Sequence, residues 1–292
     1  MNRIAVLLAC HNRKDKTISA LHALYQAYEE IKDKMELAVY LTDDGSRDGT
    51  SEAVGKKFSE VKILQGNGKL YWAGGMINSW VAARKGNYDG YLLLNDDTNV
   101  FPNLFKRLIE THHFCIGKYK KAGVYVGSTK DGVTNELTYG GSIITNKFLA
   151  TTKRLNPDKE PQECELGNAN VMLVHQNVME EIGILSDKYI HGLADYDYTL
   201  KAKRNNIPVL ITPEYLGICT NDHKNPYDTF ASISIQERID TLYNPLILDF
   251  KSQLVYNRRH FPFRLPFVFL AGWLKILFPK FYINRSFNKR AV

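Results

Sequence analysis

Short apolar runs alternate with helical segments over the first hundred residues, and this alternation restricts the fold more than any other feature. Apolar runs at residues 4–9, 37–41, 61–64 and 91–94 predict four strands. Apolar residues between them recur at helical spacing, for example over residues 18–31. Strands that alternate with helices through short connections form mostly parallel sheets with helices on both faces. The sequence therefore predicts an α/β fold with a Rossmann-like sheet.

The fourth apolar run ends in two adjacent carboxylates, Asp96 and Asp97. Packing does not explain this pair, because neighbouring acids repel each other and are costly to bury. A divalent metal, or a polyphosphate with its metal, would explain it. Ligands of open α/β sheets bind just beyond the carboxyl ends of the strands. The pair therefore predicts a site at this edge of the sheet, and a solvated acidic turn is the alternative.

The alternation becomes irregular after Pro102. Helical spacing predicts helices over residues 103–114 and 195–204. Shorter apolar runs predict strands at residues 123–126, 137–144, 170–175 and 209–211. We therefore expect an α+β region that continues the first hundred residues.

The C-terminal segment, residues 231–292, differs in charge. Its last part, residues 251–292, holds nine of the 38 Lys and Arg residues and no acid, which leaves 29 basic against 31 acidic residues elsewhere. A near-neutral body argues against nucleic-acid binding. Aromatic and aliphatic residues crowd over residues 261–282, without the ~20 apolar residues in a row needed to cross a bilayer. This pattern predicts a helical segment on an anionic membrane surface, or packing on the body or on another subunit of a homo-oligomer.

The four cysteines, Cys10, Cys115, Cys164 and Cys219, are far apart and form no CxxC pair. We expect reduced, mostly buried thiols. Residues 7–10 superficially match a lipoprotein cleavage site, but the apolar stretch before Cys10 is too short for a signal peptide. We interpret it as a strand and expect the protein to remain in the cytoplasm.

Five segments together resemble the family 2 glycosyltransferases of the GT-A fold: residues 9–13, 42–50, 94–98, 167–169 and 191–197. The similarity extends over about residues 3–225. It implies a nucleotide-sugar-binding half over residues 1–100 and an acceptor-binding half of the same domain over residues 101–230.

Within that family, residues 68–78 are most similar to rhamnosyl- and galactofuranosyltransferase-like enzymes of bacterial surface polysaccharide synthesis. The sequence departs from the family pattern at Ala194, where a Glu is common, and at Asn95, where the metal motif begins with Asp.

The resemblance implies that Asp97 ligates Mn²⁺ or Mg²⁺ and that Asp96 supports the ribose or the metal. It also implies a metal-binding role for His223, although a lone histidine is more often structural. Asp195 would be the catalytic base, which takes a proton from the acceptor hydroxyl. Because Asp195 begins a predicted helix, an N-cap is the alternative. Asp197 would be structural or a secondary contact.

On the donor side, the resemblance implies a contact to the nucleotide base by Asp43, with Asp44 beside it. A turn is the alternative, because an Asp-Asp-Gly-Ser stretch forms one readily. Ala9, His11 and Arg13 would line the same nucleotide pocket, and Arg13 could instead be a surface charge.

Further substrate contacts are implied around a glycine-containing loop over residues 66–75 and in the acceptor half. Glycines let a backbone approach a ligand closely, and a plain loop is the alternative. Trp72 could stack on a sugar or base, although aromatic residues are more often core. The remaining residues implied to bind substrate are Gly68, Gly74, Asn78, Asn168 and His191.

Taken together, these features predict a metal-dependent, inverting glycosyltransferase at the inner face of the cell membrane. It would move a sugar from a UDP or dTDP donor to a hydroxyl of a lipid-linked or oligosaccharide acceptor. One rival is a sugar nucleotidyltransferase, which needs a glycine-rich loop after the first strand, whereas residues 10–14 contain no glycine. A second rival is a non-catalytic carbohydrate- or membrane-binding protein of the same fold.

Overall fold

The computed structural model describes residues 1–220 and 225–281. Its strands are β1 (Arg3–Cys10), β2 (Glu36–Asp43), β3 (Lys62–Gln65), β4 (Gly90–Leu94), β5 (Asn99–Val100), β6 (Val124–Lys130), β7 (Leu137–Tyr139), β8 (Gly141–Asn146), β9 (Thr151–Arg154), β10 (Gln162–Glu163), β11 (Leu166–Gly167), β12 (Val171–His175) and β13 (Val209–Ile218). Its α-helices are α1 (Lys14–Glu29), α2 (Thr50–Lys57), α3 (Tyr71–Ala83), α4 (Leu104–Tyr119), α5 (Gln176–Ile182), α6 (Ala194–Arg204), α7 (Ile235–Tyr243), α8 (Phe250–His260) and α9 (Leu265–Leu277).

A large sheet forms the centre of the molecule, in the order β10-β13-β6-β12-β4-β1-β2-β3. Strand β1 pairs in parallel with β2 and β4, and β2 pairs in parallel with β3. Strands β6 and β13 are also parallel to each other, whereas β12 runs antiparallel to both β4 and β6. The sheet is therefore mostly parallel, and the predicted α/β class is confirmed.

Helices cover both faces of this sheet, so the central strands are apolar on both sides. In β1, Leu7 belongs to the core cluster of Trp80 on α3. Its neighbour Val6 belongs to the opposite cluster, with Leu24 of α1. Because β2 and β4 flank β1 on opposite sides, a crevice opens at the carboxyl end of β1, where ligands of such sheets bind.

The single strand predicted over residues 137–144 is wrong, because β7 and β8 are separate strands in different sheets. Strand β7 pairs with β6, whereas β8 lies between β11 and β9 in a small second sheet. At the break between them, a Cβ on Gly140 would lie only 2.7 Å from the Ser128 hydroxyl oxygen. The chain thus passes close to β6 as it leaves the large sheet. An apolar pattern does not mark such a change of sheet.

The loop predicted over residues 66–75 is shorter than expected, because α3 begins at Tyr71. The backbone N–H groups of Leu70 and Tyr71 donate to one oxygen of the Asp44 carboxylate, at 2.8 and 2.9 Å. A carboxylate in this position satisfies N–H groups that have no partner inside the helix, and it interacts favourably with the helix dipole. Since Asp44 follows β2, far away in sequence, the local pattern does not reveal this cap.

The C-terminal helices pack on one another and leave one apolar face outward. Phe250 of α8 and Ile276 of α9 are buried between them. The outward face of α9 and the residues after it expose Phe267, Leu270, Leu274, Phe278 and Phe281. In residues 1–220 and 225–281, no helix is both long and apolar enough to cross a bilayer. All four cysteines are buried free thiols, as expected.

Candidate functional site

A cavity of about 860 Å³ opens at the carboxyl ends of β1 and β4. It brings together side chains from residues 1–100, residues 101–230 and the C-terminal segment. Of the residues predicted from the sequence, it is lined by Arg13, Trp72, Asp96, Asp97, Asn168, His191 and Asp195. The strand ends and the N-terminus of α6 therefore meet around one space.

Asp96 and Asp97 share one cationic partner, Arg13. The guanidinium of Arg13 lies 3.2 Å from an Asp96 carboxylate oxygen and donates to Asp97 through its other terminal nitrogen. Asp96 is buried and also accepts a 3.3 Å hydrogen bond from the Thr17 hydroxyl. Arg13, expected to line the nucleotide pocket, therefore contacts both acids of the predicted metal motif.

The environment of Asp96 opposes its ionisation. Burial raises the pKa of its carboxyl group, the charge of Asp97 raises it further, and Arg13 lowers it, with a net rise to about 7. Two adjacent carboxylates provide oxygen ligands of the kind that a hard divalent cation prefers. The pair therefore fits Mn²⁺ or Mg²⁺.

A complete metal site is not formed by the described residues. Among residues 1–220 and 225–281, no group of three or more His, Cys, Asp or Glu side chains is arranged to hold a metal ion. The buried thiol of Cys219 lies 3.6 Å from the second Asp97 oxygen. His223, the other predicted ligand, lies outside the described residues.

Asp195 is the second residue of α6, and its carboxylate faces the cavity. It accepts hydrogen bonds from its neighbour Tyr196 N–H, at 2.8 Å, and from Ala169 N–H, at 3.2 Å. Burial raises the pKa of Asp195, and these backbone donors only partly oppose the rise. Leu193, the residue before the helix, has φ of +68°, so the chain turns sharply into α6. Asp195 thus satisfies local N–H groups and remains at the cavity wall.

Asn168 and His191 lie in the wall beside Asp195. The Asn168 side chain donates to the Tyr196 hydroxyl at 3.3 Å and accepts from Gly140 N–H at 3.3 Å. It therefore ties the break between β7 and β8 to the first turn of α6.

Trp72 lies in the first turn of α3, and its indole N–H donates to the side-chain oxygen of Asn95 at 2.8 Å. This contact gives a structural role to Asn95, which stands where the family pattern has Asp. An amide oxygen accepts the indole hydrogen bond without adding a third negative charge next to Asp96 and Asp97.

Asp43, which ends β2, and Asp44, which follows it, both accept hydrogen bonds from inside the protein. Asp43 accepts from Ser46 N–H at 2.8 Å and from the Ser51 hydroxyl. Asp44 accepts from Gly68 N–H at 2.8 Å in addition to the start of α3. An ionised carboxylate has about four acceptor positions, so neither set of contacts uses the full capacity of the group.

Two glycines of residues 66–75 are required by contacts inside the protein. A Cβ on Gly66 would lie 2.5 Å from an Asp44 carboxylate oxygen, and one on Gly75 would lie 2.6 Å from the Ala9 Cβ. Gly75 therefore lets α3 pack directly on the end of β1.

The other residues predicted to bind the nucleotide sugar lie near the ends of β1 and β2. His11 is exposed, and its ring Nδ1 lies 2.7 Å from the Asp44 carbonyl oxygen. The Asn78 side chain donates to the Thr42 hydroxyl at 3.3 Å. Gly74 lies within α3, where a Cβ would be 3.2 Å from Leu70. These residues are close to the strand ends, but they do not line the large cavity.

One wall of the cavity was missed by the sequence analysis. Residues 245–249, which precede α8, and Gln253 in its first turn also line the cavity. Leu246 and Ile247 are 62% and 44% exposed there. The only sequence signal was a short apolar run between two helices, and such a run gives no indication of which surface it will meet.

Asp197, two residues after Asp195, faces the other way and is buried. Its carboxylate contacts Arg259 at 2.6 Å, the ring Nε2 of His260 at 2.6 Å and the Tyr189 hydroxyl at 2.9 Å. Burial alone would raise its pKa, but these hydrogen bonds hold the pKa below its usual value. These contacts hold α8 against α6. Residues 245–249 lie immediately before α8, so their position relative to Asp195 depends on this packing.

Solved structures with a similar fold include TarS, a mannosyltransferase and GalNAc-T7. TarS of S. aureus has a TM-score of 0.55 and 17% identity, and the match covers 95% of this chain and 48% of TarS. The mannosyltransferase PcManGT of Pyrobaculum calidifontis, solved with GDP-Man and Mn²⁺, has a TM-score of 0.56 and 11% identity over 95% of this chain and 88% of that one. The chain has the GT-A fold.

A third structure extends this likeness. GalNAc-T7, solved with UDP, GalNAc and Mn²⁺, has a TM-score of 0.53 and 15% identity over 83% of this chain and 50% of that one. The present chain thus spans about half the length of TarS and of GalNAc-T7. No protein-family model and no curated protein matches the sequence. The predicted membership of family 2 stays a prediction.

Proposed function

We propose that this protein is a glycosyltransferase that transfers a sugar from a nucleoside diphosphate donor. One observation carries the proposal: the cavity joins the Arg13-paired acids Asp96 and Asp97 to Asp195. An acidic pair suits a metal–diphosphate complex, and a separate carboxylate suits proton removal. The GDP-Man, UDP and Mn²⁺ in structures of this fold agree with that division.

The donor lies at the carboxyl ends of β1 and β2 in this proposal. Asp43 accepts a hydrogen bond from the base N3–H, which favours UDP or dTDP, and Asp44 holds the loop around Gly68. His11 and Ala9 border the nucleotide, and the guanidinium of Arg13 is close enough to the acids to meet the diphosphate as well. Arginine suits this role because its fork of N–H donors matches phosphate oxygens.

Asp97, together with His223, would hold Mn²⁺ or Mg²⁺, and Asp96 would support the ribose or the metal. When bound, the metal neutralises the charge that develops on the leaving diphosphate. Trp72 provides a flat apolar surface for the donor sugar, and its hydrogen bond to Asn95 fixes the orientation of its ring.

Asp195 is the proposed catalytic base. Its carboxylate takes the proton of the acceptor hydroxyl as that oxygen attacks the anomeric carbon, so the configuration there inverts. Backbone N–H groups hold the carboxylate in place, and its raised pKa makes it a stronger base than a solvated aspartate. No other carboxylate of the cavity wall lies on α6.

The acceptor occupies the space between Asn168, His191 and the wall of residues 245–249. Exposed apolar side chains and polar groups around one cavity suit a lipid-linked or oligosaccharide acceptor. With the similarity of residues 68–78, this points to rhamnosyl- or galactofuranosyl-type transfer in bacterial surface polysaccharide synthesis.

The C-terminal segment would keep the enzyme on the cytoplasmic face of a membrane. The exposed apolar face of α9 and the basic residues around it support contact with an anionic bilayer surface. A homo-oligomer built through the same face is the alternative, and analytical ultracentrifugation without lipid distinguishes the two.

Thermal unfolding with nucleotides and nucleotide sugars, with and without Mn²⁺, tests the function. A ligand at 100 times its dissociation constant adds about 2.7 kcal/mol to stability. We expect a Mn²⁺-dependent shift with uridine or thymidine diphosphates that Asp97→Ala removes and that Asp33→Ala, a change of an exposed acid, retains. Absence of a shift with every nucleotide contradicts the proposal. Pyrophosphate release from a nucleoside triphosphate and a sugar phosphate identifies a nucleotidyltransferase instead.

A further inference from the structure

A second cavity, of about 630 Å³, lies at the other ends of α6 and α8. The first turns of these helices contribute Asp195 and Gln253 to the candidate active site, whereas their last turns contribute Arg204 and His260 to the second cavity. The turn between β8 and β9 and the 3₁₀ turn at Pro262–Arg264 complete its wall. It is therefore a separate space, not part of the transfer site.

The wall of this cavity combines apolar and cationic side chains. Its cations are Lys147, Lys203, Arg204 and Arg264. Lys203 pairs with Glu163 at 2.9 Å, and Arg204 donates to a backbone carbonyl at 2.8 Å. Within the described part of the chain, no ion pair involves Lys147 or Arg264.

One acid, Glu165, also lines the second cavity. One of its carboxylate oxygens accepts the Ile144 N–H at 2.6 Å, which anchors it to β8. The wall thus holds four cationic side chains and one acid. Two of these cations, Lys147 and Arg264, can offer their charge to a ligand at the rim. An excess of positive charge in a partly enclosed space favours an anionic ligand.

Aromatic side chains frame the mouth of the second cavity. Phe148 and Phe263 line it and are 65% and 78% exposed. The exposed face of α9 begins beside Phe263, with Phe267 and Leu270 66% and 57% exposed. Large apolar side chains that are this exposed are unfavourable in water. They are stabilised at the boundary between headgroups and acyl chains. The mouth is therefore suited to a bilayer surface.

We infer that the second cavity binds one anionic phospholipid of a membrane. The lipid phosphate meets Lys147 and Arg264 at the rim, and the first part of an acyl chain lies against Phe148 and Phe263. A small soluble anion would not use the aromatic mouth, and an uncharged lipid would not use the cations. This site is distinct from a membrane contact made by α9 alone, and it requires neither donor nor acceptor.

Vesicle sedimentation of the full-length protein, without nucleotide, tests the charge requirement. Vesicles of phosphatidylcholine with and without phosphatidylglycerol provide the two surfaces. We expect the double variant Lys147→Glu/Arg264→Glu to reduce binding to the anionic vesicles by about tenfold or more. The control is Lys153→Glu/Lys159→Glu, which makes the same change in net charge at exposed positions outside the cavity and should reduce binding about twofold or less. Equal losses in the two variants would mean that only net charge matters and would overturn the inference.

Calorimetric titration with monomeric short-chain phosphatidylglycerol, and separately with inorganic phosphate, tests the cavity itself. We expect Phe148→Ser to weaken short-chain lipid binding at least fivefold. Leu149→Ser, a change of the neighbouring exposed residue outside the cavity, and Phe267→Ser on α9 should leave it unchanged. Inorganic phosphate binding as tightly as the lipid, or no lipid binding by the native protein, would refute the lipid site. Loss of lipid binding in Phe267→Ser with retention in Phe148→Ser would assign the lipid to α9 instead.

Discussion

The two walls of the candidate active site hold their carboxylates in different ways. On one wall, Asp96 and Asp97 lie side by side and share the guanidinium of Arg13. On the other, Asp195 is held by backbone N–H groups. Both Asp96 and Asp195 have raised pKa values because burial opposes their ionisation.

The two arrangements suit different chemistry. The pair Asp96 and Asp97 carries more negative charge than one arginine neutralises, so a further cation is favourable there. Among the described residues, no cation lowers the pKa of Asp195 and so weakens it as a base. Asp197 is a contrast on the same helix, because Arg259 and His260 bind it and its pKa is lowered. Each of the following changes tests one part of this comparison.

The largest effect is expected for Asp195→Asn. The amide keeps the shape but only one of the two backbone contacts, and it cannot accept the acceptor proton, so the transfer rate should fall about 10²–10⁴-fold. Donor binding, measured by the Mn²⁺-dependent thermal shift, should not change. Asp187→Asn, at an exposed position, is the control and should keep full activity. Full transfer activity in Asp195→Asn would remove this residue from the base role.

A smaller effect, on stability, is expected for Arg259→Leu. The change leaves buried Asp197 with His260 and Tyr189 but without its arginine, which should reduce the free energy of unfolding by about 2 kcal/mol. Chemical denaturation measures this loss. Arg258→Leu, at the exposed neighbouring position, should change it by less than about 0.5 kcal/mol. If both variants have the same stability, the contact between α6 and α8 does not depend on this ion pair.

Arg13→Gln should also reduce stability, by a smaller amount, and added metal should reverse this loss. Without the guanidinium, Asp96 and Asp97 repel each other, so the metal-free protein should lose about 1 kcal/mol of stability. Added Mn²⁺ should stabilise the variant more than the native protein, because the cation then replaces the missing charge. Denaturation with chelator and with Mn²⁺ measures the difference. Equal stabilisation of the two proteins by Mn²⁺ would show that Arg13 does not compensate the acidic pair.

The last effect is a pH dependence of the metal-free protein. The pKa of Asp96 is about 7 in the folded protein, against about 3.9 for an unfolded chain. Between these values the folded state binds more protons than the unfolded state, so stability should fall as pH rises from about 4 to about 7. Asp96→Asn should make this part of the stability curve flatter in the presence of chelator. Identical curves for the native protein and the variant would argue against a raised pKa.

Local features made much of the fold and part of the site predictable. Strands β1 and β4 are apolar on both faces, and the acids at positions 96 and 97 follow a strand directly, so their place at the sheet edge follows from the chain itself. Asp195 could be placed at the start of a helix, and the GT-A fold is confirmed. The metal, base and nucleotide roles stay predictions.

What could not be predicted depends on contacts between distant segments. The cap of α3 comes from Asp44, and Trp72 donates its indole N–H to Asn95. Helix α8, which follows the wall of residues 245–249, is bound to α6 through Arg259. Periodicity and turn chemistry describe neighbours along the chain, whereas these contacts are set by how the finished elements pack. The loop at residues 66–75 was predicted too long for this reason.

The reversed strand β12 has a consequence for the order in which the protein folds. It fills the place between β4 and β6, and its pairing with β4 joins residues 171–175 to residues 90–94. During synthesis β1 to β4 can pair as they emerge, but one side of β4 then stays open until β12 has left the ribosome. An open apolar strand edge is a template for pairing with other chains. The nascent chain is therefore most exposed to aggregation during the interval between these two strands, and a chaperone would act most usefully there.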